Sequence, residues 1–175
     1  GDILEMVILD HGLYKELDEE FRYFYSNFWR GVITQNRGLV AESCKNLNIS
    51  SYELFVSIVL SRKFDEVMSD EKKYSTEKRF SELKSQEEKD EVKQYAQMYH
   101  KDITQILSGV REEMPLLLKI NEFLRAIDRK LGSPLNNFEI MMEIIYDELP
   151  KNSLYKKKEN SLLWLNMEFY FYQIM

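Results

Sequence analysis

Downstream of Gly12, apolar residues recur at intervals of three and four, the spacing that places side chains on one face of a helix, and this pattern persists almost to the C-terminus. Asp18 stands where an N-cap belongs, with Glu19 and Glu20 in the following turn, and the helix it opens carries Phe21, Tyr25, Phe28, Trp29 and Val32 along one side. Asn36, Arg37 and Gly38 read as a break, followed by a second helix over Leu39 to Leu47. Ser50 and Glu53 have capping-box spacing and open a third through Leu54, Phe55, Ile58 and Val59. Ser85 and Glu88 repeat that spacing ahead of a long helix carrying Val92, Tyr95, Ala96, Tyr99, Ile103, Ile106 and Leu107 to a stop at Gly109. Pro115 suits the first turn of the next helix, which Gly132 ends. Another runs from Asn137 to Leu149 and halts at Pro150, and an aromatic-rich last helix spans Leu154 to Tyr172. Ahead of all this, the apolar residues that run up to Leu9 predict one short β-strand, over Leu4 to Leu9. The fold class is therefore mainly α, six or seven helices behind a single N-terminal strand.

Composition narrows this picture. At 175 residues and 44% apolar, the chain can bury one good core, so a single helical domain over 1–175 is expected. Residues 69–85 break the apolar pattern with Asp, Glu, Lys, Ser and Thr, and read as a flexible charged insertion within that domain. A net charge of −6 argues against nucleic acid as a partner, because neutralising phosphates takes a basic surface. Cys44 alone excludes a disulfide framework and any cysteine-based metal cluster, and a free buried thiol points to an intracellular compartment. No run of eighteen uncharged apolar residues predicts a membrane span. Gly1 reads as a cloning scar, so the missing start methionine and targeting signals carry no information about the parent protein.

Chemistry announces itself at Val7-Ile8-Leu9-Asp10-His11-Gly12-Leu13-Tyr14, where an apolar run stops at a carboxylate followed by a residue free to take positive φ. A phosphate-transfer site uses such an acid to hold Mg²⁺. The string from Leu9 to Trp29, with its Asp-His-Gly triplet running at once into a helix with an aromatic-rich face, resembles the aarF-domain (UbiB/ADCK-type) family of atypical kinases. Met114 to Arg125, closing at Leu131-Gly132, is similar to that family's later helix that starts at a proline and ends at a glycine.

The resemblance implies the helical C-lobe of a protein-kinase-like fold, with Asp10, His11 and Gly12 as cofactor-binding residues. Asp10 would be the metal-binding acid and Gly12 the residue that permits its turn, while His11, which stands where most kinases have Phe, reads as an imidazole hydrogen-bonded to backbone. Phosphoryl transfer also needs a phosphate-covering glycine loop, a lysine on the phosphates and a base or water-positioning acid. The six glycines are scattered and no His-x-Asp…Asn segment precedes Asp10, so this chain offers no catalytic residue of its own. The expectation is a C-terminal fragment that pairs with a missing N-terminal lobe of the same protein. Mg and ATP would belong to the intact parent, with neither bound by this chain alone. Only Leu13 to Leu17 separate Gly12 from Asp18, which leaves no room for a peptide-docking activation segment, and no Ala-Pro-Glu follows. That favours a small or lipid-like substrate or simple ATP hydrolysis, and the family implies coenzyme Q or lipid homeostasis and a mitochondrial location.

The alternative is a non-catalytic helical domain that binds a protein partner or a membrane surface. Lys156-Lys157-Lys158 beside Trp164, Phe169, Tyr170, Phe171 and Tyr172 is the lipid candidate, although a terminal helix packed on the bundle explains it as well. An unpaired strand at Leu4 to Leu9 further predicts self-association. His100 beside Asp102 lacks the partners of a metal site, and Glu19-Glu20 and Glu112-Glu113 point to different helix faces, so neither pair is a carboxylate dyad.

Overall fold

A computed structural model describes residues 14–60, 62–68, 90, 93–95, 97–132 and 137–158. It is mainly α, with no strand among the described residues. The expected strand at Leu4 to Leu9, the 69–85 insertion, the Ser85/Glu88 cap and the last helix beyond Lys158 lie outside them. The helices are α1 (Glu19–Ile33), α2 (Arg37–Asn46), α3 (Tyr52–Leu60), α4 (Phe64–Val67), α5 (His100–Gly109), α6 (Met114–Lys130), α7 (Asn137–Glu148) and α8 (Ser153–Lys158), with a 3₁₀ turn over Leu149–Lys151 between the last two.

The core is built around α1, which packs on α2, α7 and α8. Asp18 caps it as the sequence implies, its Oδ1 accepting from the Phe21 amide at 2.7 Å. The expected stripe is in place, since Phe21, Phe28, Trp29 and Val32 are buried and Tyr25 is half-buried, but Tyr23, Phe24 and Ile33 are buried too. An element enclosed from several sides is apolar around most of its circumference, so one stripe understates it. Phe55, Val56 and Val59 of α3, Met142 and Ile145 of α7, and Leu149 and Tyr155 share the interior with them.

Several helix boundaries differ from the sequence expectation, and at two of them a polar side chain explains the shift. Gly38 is not the break but lies in the first turn of α2; the reversal occurs at Gln35, whose φ is 59°. The Asn36 and Gln35 amides donate to the carbonyls of Gly31 at 2.8 Å and Val32 at 3.4 Å, which ends α1 in a Schellman motif with a non-glycine at its left-handed position. Asn36 then caps α2, its Oδ1 accepting from the Leu39 amide at 3.0 Å. One residue thus closes one helix and opens the next. In the third helix the cap is Ser51 rather than Ser50, with the Leu54 amide donating to its hydroxyl at 3.5 Å. The predicted long helix ending at Gly109 turns at Tyr99, and α5 begins at His100.

Candidate functional site

Asp10, His11 and Gly12 lie outside the described residues, so their placement is untouched by the geometry that follows. What the structure does describe is the strap that leads away from them, residues 14–18, and the groups that fasten it. Arg111, in the corner between α5 and α6, is the centre of that fastening. Its guanidinium donates to the Asp18 carboxylate, to Glu113 Oε1 at 3.2 Å and, through Nε, to Glu113 Oε2 at 3.4 Å, with Glu20 at 3.8 Å. It also lies over the Phe21 ring, 5.2 Å from the centroid. Lys15 pairs with Glu112 from the same corner. On the other side of α1, Asn152 Nδ2 donates to the Glu19 carbonyl at 2.8 Å and the Ser153 hydroxyl donates to the Glu19 carboxylate. The strap is therefore secured to the α5–α6 corner, and the helix it enters to the start of α8.

The charges respond accordingly. The Phe21 amide, then the Arg111 guanidinium, hold the Asp18 carboxyl below its usual range. Burial pushes Glu113 up, but its bond to Arg111 and the surrounding positive charge leave it lowered overall. Arg111 is raised, by Asp18 first and Glu113 second. One guanidinium shared among acids has no free fork to offer a phosphate, so this cluster is a fastening and not an anion site. Depressed folded-state carboxyl pKa values mean that the unfolded chain binds protons first as pH falls, so the contribution is present above the ordinary carboxyl values of 3.8 and 4.5 and is lost below them. Arg111→Ala accordingly lowers stability near neutral pH by about 1–2 kcal/mol, largely by leaving the buried Glu113 without its donor. The difference from the parent chain closes as pH is taken below the carboxyl range, as followed by denaturant melts.

Two depressions among the described residues bear on ligand binding. One, open and about 490 Å³, lies between α2 and α3 against Cys44, Lys45, Asn48 and Tyr52. Burial, with a smaller push from Glu53, raises the Cys44 thiol to about 12, so it is no nucleophile. The other, about 310 Å³ and almost wholly apolar, is a groove between α1, α6 and α7 lined by Tyr25, Trp29, Asn121, Ile140 and Ile144. Among the described residues no group of three or more His, Cys, Asp and Glu could hold a metal ion. His100 is exposed, and Glu112 and Glu113 serve separate basic partners, in keeping with their dismissal as a dyad. Lys156 and Lys157 are exposed on α8, while Trp164 and the aromatic residues after it lie outside the described residues. Arg111 is what sequence reasoning missed; its signal was a lone base beside Glu112 and Glu113 just ahead of the helix-starting Met114-Pro115.

No family model and no solved structure matches the chain. Curated relatives do. It is 35% identical over 130 residues to the mouse (Mus musculus) AarF domain-containing protein kinase 1, covering 74% of this chain. It is 33% identical over 130 residues, or 73% of this chain, to the Drosophila melanogaster AarF domain-containing kinase 1. With the Gallus gallus AarF domain-containing protein kinase 1 the match reaches 90% of this chain at 30% identity. The chain belongs to the aarF-domain (UbiB/ADCK) family. It spans 23%, 24% and 30% of the length of its mouse, fly and chicken relatives. Among the described residues of this aarF-family chain, no helix is long and apolar enough to cross a membrane.

Proposed function

We propose that this chain supplies the helical C-terminal part of an aarF-type atypical kinase or ATPase, in which Asp10 of the Asp-His-Gly triplet is a metal-binding acid. One observation carries the reading: relatives named as kinases match across 74% and 90% of the chain. The triplet sits just ahead of that strap in sequence, and a site acid needs a rigid support behind it. Magnesium, when bound with ATP, supplies charge neutralisation on the transferring phosphoryl group. A hard cation takes oxygen ligands, which suits Asp10, but the described residues hold no metal cluster. The remaining ligands would come from nucleotide phosphates and from an N-terminal lobe elsewhere in the parent, with Gly12 permitting the turn and His11 held by backbone. Mitochondrial coenzyme Q or lipid homeostasis is the context this reading takes from the family, with a small or lipid-like substrate.

The test is Asp10→Asn in the full-length parent. The Mg²⁺ concentration needed for nucleotide turnover rises by on the order of a hundredfold while the thermal transition is unchanged; an unaltered metal requirement overturns the assignment. Calorimetric titration of the 175-residue chain alone with MgATP shows no micromolar binding, and heat at that level would overturn the need for a further lobe rather than the role of Asp10. A second reading, a helical interaction domain, is favoured by apolar side chains left exposed along α6 and α7.

A further inference from the structure

Among the described residues, the apolar anchorage of helix α6 lies in its N-terminal half, and near its other end Asp128 accepts from Asn137 Nδ2 at 3.0 Å. Met114 is fully buried, Leu117 and Leu118 pack on the core, and Asn121 Nδ2 donates to the Tyr25 hydroxyl at 3.0 Å. Beyond that the helix keeps apolar side chains in solvent: Phe123 is 67% exposed, Leu124 57%, Ile120 43% and Ile127 40%, with Leu131 at 72% just past its end. At about 100° per residue these five share one stripe about 100° wide, the face a helix normally buries. Across the groove that begins at Asn121, α7 adds Ile144 at 57% and Ile140 at 39%. At roughly 200 Å² for a side chain of this size, the exposed apolar surface is on the order of 700 Å². That exceeds what a monomer ordinarily shows and approaches the roughly 800 Å² each partner contributes to a stable interface.

The spacing along the stripe identifies the occupant. Taken with the half-buried Leu116, the positions are Leu116, Ile120, Phe123, Leu124, Ile127 and Leu131, separated by four, three, one, three and four residues. The sequence of gaps reads the same in both directions about the midpoint between Phe123 and Leu124. In a two-fold antiparallel pair of α6 helices centred there, every apolar layer of one copy lies level with an apolar layer of the other, as an isologous interface requires. Both charge signs border the stripe, with Lys119 and Lys130 along one edge and Asp128 along the other, whereas a helix lying on anionic lipid carries a basic border. We propose that the α6 face, extended by Ile140 and Ile144, is a dimerisation surface whose occupant is the same face of a second copy of this chain. The inference is independent of the nucleotide site and of the Leu4 to Leu9 strand from which the sequence suggested self-association.

Sedimentation of the 175-residue chain over a micromolar concentration series tests it. The chain sediments as a dimer, and Phe123→Glu and Leu124→Glu each weaken the dissociation constant at least tenfold with the helical circular dichroism unchanged. A disulfide needs Cα atoms within about 7 Å, which the two-fold gives at the centre of the stripe but not at its ends. Leu124→Cys therefore cross-links to its own copy on oxidation, whereas Leu131→Cys, held roughly 20 Å from its copy, does not. The same arrangement sets Lys119 beside Lys130 of the second copy, so added salt tightens the dimer. A monomer throughout the series overturns the proposal, and so does a dimer indifferent to both glutamates or one in which Leu131→Cys cross-links as readily as Leu124→Cys. An intramolecular cover from elsewhere in the parent gives the first of these results.

Discussion

Phe28→Ala lowers the unfolding free energy by about 3–5 kcal/mol, a large part of the stability of a domain this size. The ring has no solvent exposure and sits where α1 meets α3. It packs edge-on to Phe55 at 5.3 Å and to Trp29 at 5.5 Å, and stacks on Tyr25 at 6.3 Å. Such ring pairs contribute about 0.5–1.5 kcal/mol beyond area burial, and truncation removes three of them together. The hole does not collapse, because its neighbours are rings fixed on α1 itself and on α3. Phe28→Leu retains most of the volume and costs less than half as much. Denaturant melts of the two variants decide this; equal losses would mean that ring geometry, not cavity formation, sets the cost.

Gly31→Ala destabilises by about 1–3 kcal/mol even though alanine is the better helix former by about 1 kcal/mol. A Cβ at Gly31 would stand 2.8 Å from Val40 Cγ2, 3.0 Å from the Val40 amide nitrogen and 3.1 Å from the Asn36 carbonyl oxygen. Two of those three atoms are backbone, so no rotamer change relieves the clash and α2 itself must move away from α1. Gly109 provides the control. Nothing lies within 4 Å of a Cβ there, so Gly109→Ala follows helix propensity and stays neutral or mildly stabilising. A clear loss for Gly31→Ala beside no loss for Gly109→Ala, read from the same melts, is the expected result. A stabilising Gly31→Ala would show that the two helices are not in such close approach.

The sequence carried the helices well where a boundary depends on a side chain's own bonding. Asp18, Pro115 and Gly132 stand where expected, Gly132 with a φ of 85° past the end of α6. It was less informative where two residues compete for one role. Gly38 is the conformationally free residue, yet Gln35 takes the left-handed turn because the Asn36 side chain can cap α2 only from the position after it. Ser50 and Ser51 are adjacent hydroxyls, and spacing to Glu53 picked the wrong one. Periodicity also reports which face of a helix is apolar, not whether the fold covers it, so the exposed side of α6 was invisible before the structure. Arg111 illustrates a further limit. Its partner Asp18 is 93 positions away, and no local pattern announces a pairing at that distance.

That separation has a consequence for the order in which the molecule is made. The α1–α2 corner closes through neighbours in the chain and can form as soon as it leaves the ribosome. The strap ahead of it waits for Arg111, and Glu19 waits longer still for Asn152, 133 residues further on. The strap just after the triplet, although translated ahead of both partners, is thus among the last parts of this chain to gain its support. Until then, quality-control proteases and chaperones meet a strap whose anchorage has not yet been synthesised.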